Sequence, residues 1–363
     1  MIRIRRLPHL LRWVSGITCG AVLMGSTAVA QDATPSVAAD AAIKAGAMTV
    51  PYSTLASPQA RAFFPKMLAA GSKAPPLTAP IEQSRAFYDH MNSDRAARMA
   101  KLYAVKTHRE TIAGVATDVV EPAQGISPEN RERVLINLHG GAFLWGAHSG
   151  GLVESIPIAS LGRIKVISVD YRQGPEHTFP AASEDVEAVY RALLKQYKPT
   201  SIGIYGCSAG GILTGEAVAR LIADKLPVPG AIGTFCGSLV NMEGDSVYVA
   251  PLLNGAPVPS QPLKLEALPY FRGASPTDPM VFPGLSPALL GHFPPTLLIT
   301  GTRDMAMSSV IQSQILLSQA GVEAELHVWD GMWHSFFSDP ELPESQAAYE
   351  VIVKFFDRHL GQQ

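Results

Sequence analysis

The run Gly206-Cys207-Ser208-Ala209-Gly210-Gly211 constrains the fold of this chain more than any other feature. It follows the apolar stretch Ser201-Ile202-Gly203-Ile204-Tyr205 and precedes a helix-like run from Ile212 to Leu226. A short buried strand, a tight Gly-x-Ser-x-Gly turn and a helix together describe a nucleophile elbow. The turn is too sharp to admit side chains on either side of the serine. Glycines flank it for that reason, and the Ser208 hydroxyl is held clear of the sheet above the start of a helix.

A second motif, His139-Gly140-Gly141-Ala142-Phe143, follows the apolar strand Arg133-Val134-Leu135-Ile136-Asn137-Leu138. Consecutive small residues after a strand leave backbone N–H groups uncovered, free to face a developing oxyanion. Each such donor contributes roughly 3 kcal/mol to a transition state. Two further elements complete a constellation. Pro295-Thr296-Leu297-Leu298-Ile299-Thr300 reads as a strand ending in Gly301-Thr302-Arg303-Asp304, and Ala324 to Trp329 as a strand followed by Asp330-Gly331-Met332-Trp333-His334. In open α/β sheets the working residues sit beyond the carboxyl ends of strands, and Ser208, Asp304 and His334 all do. His334 would take the serine proton, and Asp304 would orient the imidazole and stabilise its cation.

These motifs, with Asp170-Tyr171-Arg172, Pro175-Glu176-His177 and Phe179-Pro180-Ala181 between them, resemble the hormone-sensitive-lipase group of carboxylesterases, family IV. The resemblance spans about residues 50 to 360 and is strongest from Val134 to Phe336. It implies an α/β-hydrolase fold: a mostly parallel central sheet, helices on both faces, and a helical cap over the serine. It implies a serine carboxylesterase acting on short- to medium-chain carboxylic esters or lactones through a Ser-His-Asp triad and an acyl-enzyme. The catalytic residues would be Ser208, Asp304 and His334. The oxyanion hole would be Gly140, Gly141, Ala142 and Ala209, with Gly140 completing the turn. No cofactor and no metal are implied.

The chain departs from the family pattern in three places. Ala142 stands where a third glycine is usual; its N–H survives, but its Cβ narrows the permitted backbone angles. Cys207 stands where many members carry Asp, so an acceptor is missing near the elbow and the local hydrogen bonding must differ. Gln173-Gly174 replaces the frequent Leu-Ala after Tyr-Arg. None of these removes a catalytic group.

The chain has 363 residues, 47% of them hydrophobic, and a formal net charge of −2. There is no electrostatic case for nucleic acid or an anionic membrane as partner; the resemblance implies a small-molecule ester as the partner. Arg3, Arg5, Arg6 and Arg12, the apolar Trp13 to Met24 and the Ala28-Val29-Ala30 site read as a cleaved signal peptide over 1–30. Gly16-Ile17-Thr18-Cys19 lacks the leucine expected three residues before a lipidated cysteine. The expectation is a bacterial periplasmic or secreted enzyme with no stable membrane insertion after cleavage. Only Cys207 and Cys236 then remain. An oxidising compartment would allow them to pair, but two buried free thiols are the favoured reading.

Residues 31–50, rich in Ala, Thr and Ser, read as a linker. Residues 51–105 carry N-terminal cap helices and 106–363 the catalytic domain, with a cap insertion near 240–283. Ser57-Pro58 reads as a helix start, and that helix is expected to break near Pro65. Residues 81 to 103 read as one or two helices, with Asn92 or Ser93 a second cap. His139 reads as a structural donor and Asp330 as a loop residue. Tyr171, Arg172 and Glu176 read as a buried cluster bracing the oxyanion loop. Trp145, Trp329 and Trp333 read as packing residues, Trp333 with the option of lining the pocket. Two other functional classes stay open: an amidase or peptidase of the same fold, and an inactive relative that binds a hydrophobic ligand. A homodimer is compatible with the resemblance, though no surface for it is identifiable.

Overall fold

A computed structural model describes residues 36–37, 43–44 and 49–361. The expected signal peptide and most of the linker lie outside the described residues. The chain divides into two units, Met1–Pro51 and Tyr52–Gln363. In the first, β1 (Ser36–Val37) pairs antiparallel with β2 (Ile43–Lys44).

The second unit opens with α1 (Pro58–Gly71) and α2 (Ile81–Leu102), then β3 (Val105–Ile112), β4 (Val115–Pro122) and β5 (Val134–Leu138). Alternation follows: α3 (Ser149–Gly162), β6 (Lys165–Val169), α4 (Ala181–Leu193), β7 (Ile202–Cys207), α5 (Ala209–Ala223) and β8 (Ala231–Phe235). After α6 (Ser246–Leu253) and α7 (Pro287–Leu290) come β9 (Thr296–Arg303), α8 (Met307–Gln319), β10 (Ala324–Trp333) and α9 (Pro343–His359). The eight strands from β3 onward form one sheet in the order β10-β9-β8-β7-β5-β6-β4-β3. Pairing is parallel from β6 to β10 and antiparallel at β4.

The central strands are apolar on both faces because helices cover both. Along β7, Ile202 and Ile204 join the core under α4, α5 and α8, while Tyr205 and Cys207 join the core under α3 and α9. On β5, Ile136 and Leu138 face the first core and Leu135 the second. The outermost strand β3 is largely exposed and carries Lys106, His108, Arg109 and Glu110, charges that blunt an open edge.

Helix α1 begins as expected, with the Ser57 hydroxyl accepting from Ala60 N at 3.0 Å and proline in the first turn. It does not break at Pro65 but runs on to Gly71. One missing helical bond costs about 3 kcal/mol. Aromatic packing just before the proline offsets it: Phe63 and Phe64 lie against Trp333 at 5.9 and 5.7 Å. The segment 81–103 is a single helix, so neither Asn92 nor Ser93 caps a second one.

The segment 240–283 contains α6 and short turns of 3₁₀ helix. Its Leu265, Tyr270, Phe271, Val281 and Phe282 are buried in the core under α4 and α5. Tyr270 stacks on Phe143 at 4.6 Å. This segment therefore backs the turn after β5. Among the described residues, the cleft over Ser208 takes its wall from α1 and α2 and none from 240–283. No described helix is long and apolar enough to cross a membrane.

Candidate active site

Ser208, Asp304 and His334 each occupy the position directly after a parallel strand, following β7, β9 and β10. The structure brings all three together. His334 Nε2 lies 2.8 Å from Ser208 Oγ, and His334 Nδ1 lies 2.7 Å from Asp304 Oδ1. Asp304 is fully buried, and its oxygens also accept from Ala306 N at 2.9 Å and Thr300 Oγ1 at 2.9 Å. Burial alone would raise its pKa. The His334 charge and hydrogen bond, with the Ala306 and Thr300 donors, hold it below the usual carboxylate range. For His334, burial works against the imidazolium, but the Asp304 charge and hydrogen bond outweigh it and the pKa is raised.

The elbow is tight for the reason its glycines imply. A Cβ on Gly206 would lie 2.2 Å from Leu138 O, and one on Gly210 would lie 1.7 Å from it. Ser208 itself takes φ 57 and ψ −120, a strained setting of the kind found at functional sites. Its backbone is fixed by Ser208 N donating to Phe235 O at 2.7 Å.

The turn after β5 lies beside it, since Leu138 of β5 is in register with Gly206 of β7. Gly141 and Ala142 have φ of 124 and 54, so Ala142 pays the left-handed penalty that a glycine would avoid. The N–H groups of Gly141 and Ala142 have no acceptor among the described residues, nor does that of Ala209 at the start of α5, where helix N–H groups lack internal partners. Gly140 is different. Its N–H donates to Glu154 Oε1 at 2.8 Å, so it is not a free donor like the other three.

Tyr171 braces this turn as expected, its hydroxyl donating to His139 O at 2.7 Å. Arg172 and Glu176 do not join it in a buried cluster. Arg172 pairs with Asp185 and Glu184 of α4, and the exposed Glu176 pairs with Arg85 of α2. Arg85 also donates to Leu144 O at 2.9 Å and Gly174 O at 3.0 Å. His139 is structural: it stacks on Tyr171 at 4.3 Å, and its Nδ1 lies 2.8 Å from Gly140 O. Burial lowers its pKa. Asp330 lies within β10, paired with the Thr302 hydroxyl at 3.2 Å, not at the relay.

A cleft of about 570 Å³ opens over Ser208. Phe63 and Met67 of α1, Tyr88 and Met91 of α2, Trp145 and Trp333 give it an apolar wall. Trp145 stacks on Tyr88 at 4.3 Å, so it lines the cleft as well as packing. Trp329 packs on Phe336 at 5.5 Å.

Beneath the relay, Cys207 and Cys236 are buried and free. Cys207 Sγ lies 2.9 Å from Ser335 Oγ, and Cys236 Sγ accepts from Ser335 N at 3.3 Å. Burial pushes both thiols up. Cys236, Asp304 and His334 present potential ligand atoms within 4.8 Å of one another. Both imidazole nitrogens, however, are engaged within the relay. The residue that sequence reasoning missed is Glu154. It is the one charged residue in the otherwise apolar and small-residue helix α3, but its partners lie on other segments of the chain.

The alpha/beta hydrolase fold family matches residues 135–338. The acetyl-hydrolase of Streptomyces hygroscopicus is 28% identical over 246 residues, covering 66% of this chain and 81% of that protein. The crystal structure of esterase E25 superposes with a TM-score of 0.75 at 32% identity, covering 87% of this chain and 98% of that one. An esterase from the bacterial hormone-sensitive lipase family gives 0.72 at 27% identity, covering 84% and 99%. The chain belongs to the alpha/beta hydrolase fold family, in its hormone-sensitive-lipase-like carboxylesterase group. It is a carboxylic ester hydrolase.

Proposed function

We propose that the enzyme hydrolyses short- to medium-chain carboxylic esters or lactones through a Ser208–His334–Asp304 triad and an acyl-enzyme. The observation that carries this reading is the unbroken line of hydrogen bonds from Ser208 Oγ through His334 to buried Asp304, beneath a cleft. The ester carbonyl binds beside Ser208. His334 Nε2 takes the hydroxyl proton as Oγ attacks, and Asp304 stabilises the imidazolium that forms. The N–H groups of Gly141, Ala142 and Ala209 receive the oxyanion. His334 then protonates the leaving alcohol, and water repeats the cycle to release the acid.

The size of the cleft, about 570 Å³, suits one small molecule. α1 and α2 act as the cap, their aromatic and methionine side chains favouring an uncharged acyl or alcohol group. The leader-like residues 1–30 support export from the bacterial cytoplasm.

The test is a p-nitrophenyl ester series, from acetate to palmitate, with the mature protein and its Ser208→Ala variant. Activity that peaks at short chains and disappears in the variant is expected. Turnover that persists in Ser208→Ala would overturn the mechanism.

A further inference from the structure

One carboxylate ties together the two loops that make the proposed catalytic site. Glu154 projects from α3, between the sheet and the cleft, and lines that cleft beside Gly140, Gly141 and Ser208. Its Oε1 accepts from Gly140 N at 2.8 Å, in the turn after β5. Its Oε2 accepts from Cys207 N at 3.2 Å, at the end of β7 just before Ser208, and from Asn137 Nδ2 at 3.0 Å. Asn137 is held in turn, its Oδ1 accepting from the Ser168 hydroxyl at 2.9 Å. The carbonyl of that same His139–Gly140 peptide is also held, since His139 O accepts from the Tyr171 hydroxyl at 2.7 Å, and the carbonyl of the next peptide, Gly140 O, accepts from His139 Nδ1 at 2.8 Å.

A peptide gripped at both its N–H and its C=O has a fixed plane. The next two N–H groups, Gly141 and Ala142, are the ones left free. A neutral thiol at position 207 accepts hydrogen bonds weakly, so the elbow's own side chain does not supply this grip. We propose that Glu154 is the positioning residue of the oxyanion hole: it locks the Gly140 peptide to the Cys207 peptide and so aims the Gly141 and Ala142 N–H groups at the oxyanion beside Ser208. Glu154 touches no reacting atom; it acts through the backbone it holds. Burial pushes its pKa up to about 8, against the pull of the Gly140, Asn137 and Cys207 donors.

This inference rests on the proposed mechanism, and the experiment separates the two. Glu154→Gln keeps the shape but sets an amide NH₂ against one of the backbone or Asn137 donors. The variant and the wild type are compared for kcat and KM on p-nitrophenyl acetate at about pH 9, above the raised Glu154 pKa of about 8, where the side chain is the carboxylate. They are also compared for affinity to an alkyl boronic acid, which forms a tetrahedral anion on the serine, with circular dichroism confirming the fold. A fall in kcat of about tenfold to hundredfold is expected. KM should stay within about threefold, and boronate affinity should fall in step with kcat/KM, as an interaction made in the transition state requires. Asn137→Ala, which leaves the carboxylate but frees one of its oxygens, should show the same split more weakly and decides the matter if Glu154→Gln does not fold. An unchanged kcat in the folded variant, or a loss confined to KM, overturns the proposal. Turnover by wild type that does not depend on Ser208 would instead defeat the mechanism itself.

Discussion

Asp304→Asn probes the relay where its geometry is most constrained. Asp304 Oδ1 accepts from both His334 Nδ1 and the backbone N–H of Ala306, at 2.7 and 2.9 Å. Oδ2 accepts from the Thr300 hydroxyl at 2.9 Å. A backbone N–H cannot reverse its polarity, whereas a hydroxyl can rotate to accept. The asparagine is therefore forced to set its carbonyl oxygen at the Oδ1 position and its NH₂ toward Thr300. His334 keeps its proton on Nδ1, and its Nε2 remains free to take the Ser208 proton. What the substitution removes is the charge opposite the imidazolium. Unit charges about 4 Å apart interact by about 4 kcal/mol at an effective dielectric of about 20. At about 1.4 kcal/mol per decade, that caps the loss in kcat at roughly a thousandfold. It falls short of the roughly ten-thousandfold loss that the same change causes in a serine protease, where the tautomer is lost as well.

The same variant should move the pH profile. In the proposed mechanism His334 must be neutral to accept the serine proton, so kcat/KM should rise with pH as its imidazolium deprotonates. In the wild type, Asp304 raises the His334 pKa against the effect of burial, and the acidic limb should sit above the ordinary histidine value of about 6.5. With the charge gone, burial is left to act alone and the limb should shift to lower pH. The assay is kcat/KM for p-nitrophenyl acetate from pH 5 to 9, about the range over which histidine titrates. An acidic limb that stays in place or moves upward would refute the account of His334. A loss well beyond a thousandfold would refute the argument that Ala306 preserves the tautomer.

Ala142→Gly relieves a left-handed alanine, worth about 1–2 kcal/mol, but loosens the unfolded chain by about 0.4–1 kcal/mol. A net stabilisation of about 0.5 kcal/mol is expected in urea unfolding, and a lower midpoint would count against strain at this residue. Tyr88→Ala removes the ring stacked on Trp145 in the cleft wall. The optimum in the p-nitrophenyl ester series should then move to longer acyl chains. An unchanged optimum would mean that this wall does not limit the substrate.

Much of the fold was legible because a sheet covered on both faces makes its strands continuous apolar runs. Val134 to Leu138, broken only by Asn137, Ile202 to Tyr205 and Leu297 to Ile299 carry that signal. Ser208 and Asp304 lie just beyond two of these runs, and His334 beyond the more mixed last strand, so the ends of the strands pointed to the three. What was hidden depended on contacts between distant segments. Pro65 sits mid-helix only because Phe63 and Phe64 find Trp333 far along the chain. The last strand was expected to stop at Trp329, but it continues to Trp333 through a register shift beside β9. No period-two pattern reveals such a shift. The proline-rich segment 240–283 is expected, with the resemblance, to add a second portion to the cap. Its aromatic residues instead fill space behind Phe143.

The role of Glu154 shows why the remaining part of the site could not be read locally. β5 and β7 are neighbours, yet the chain visits β6 on the far side of β5 between them. The connections that leave β5 and β7 therefore diverge, with α3 covering one face of the sheet and α5 the other. Such a switch in strand order opens a crevice at the carboxyl ends of the strands, and that crevice holds Ser208 and the Gly140 turn. A crevice made by diverging loops has no ladder hydrogen bonds to fix the loops relative to each other. Something must bridge them, and here it is a side chain from α3 reaching back to the backbone of both, at Gly140 and Cys207. Such a bridge is specified by topology and three-dimensional distance, since Glu154 and Cys207 are 53 residues apart in sequence. The prediction that follows concerns packing. Gly151, one helical turn before Ser155, allows α3 to approach β6, and a Cβ there would lie 2.1 Å from Ser168 Oγ. Gly151→Ala should push α3 outward and draw Glu154 from its donors, lowering kcat with little change in KM, the result expected of Glu154→Gln. A Gly151→Ala enzyme that folds with wild-type kcat would show that the bridge tolerates displacement of its helix.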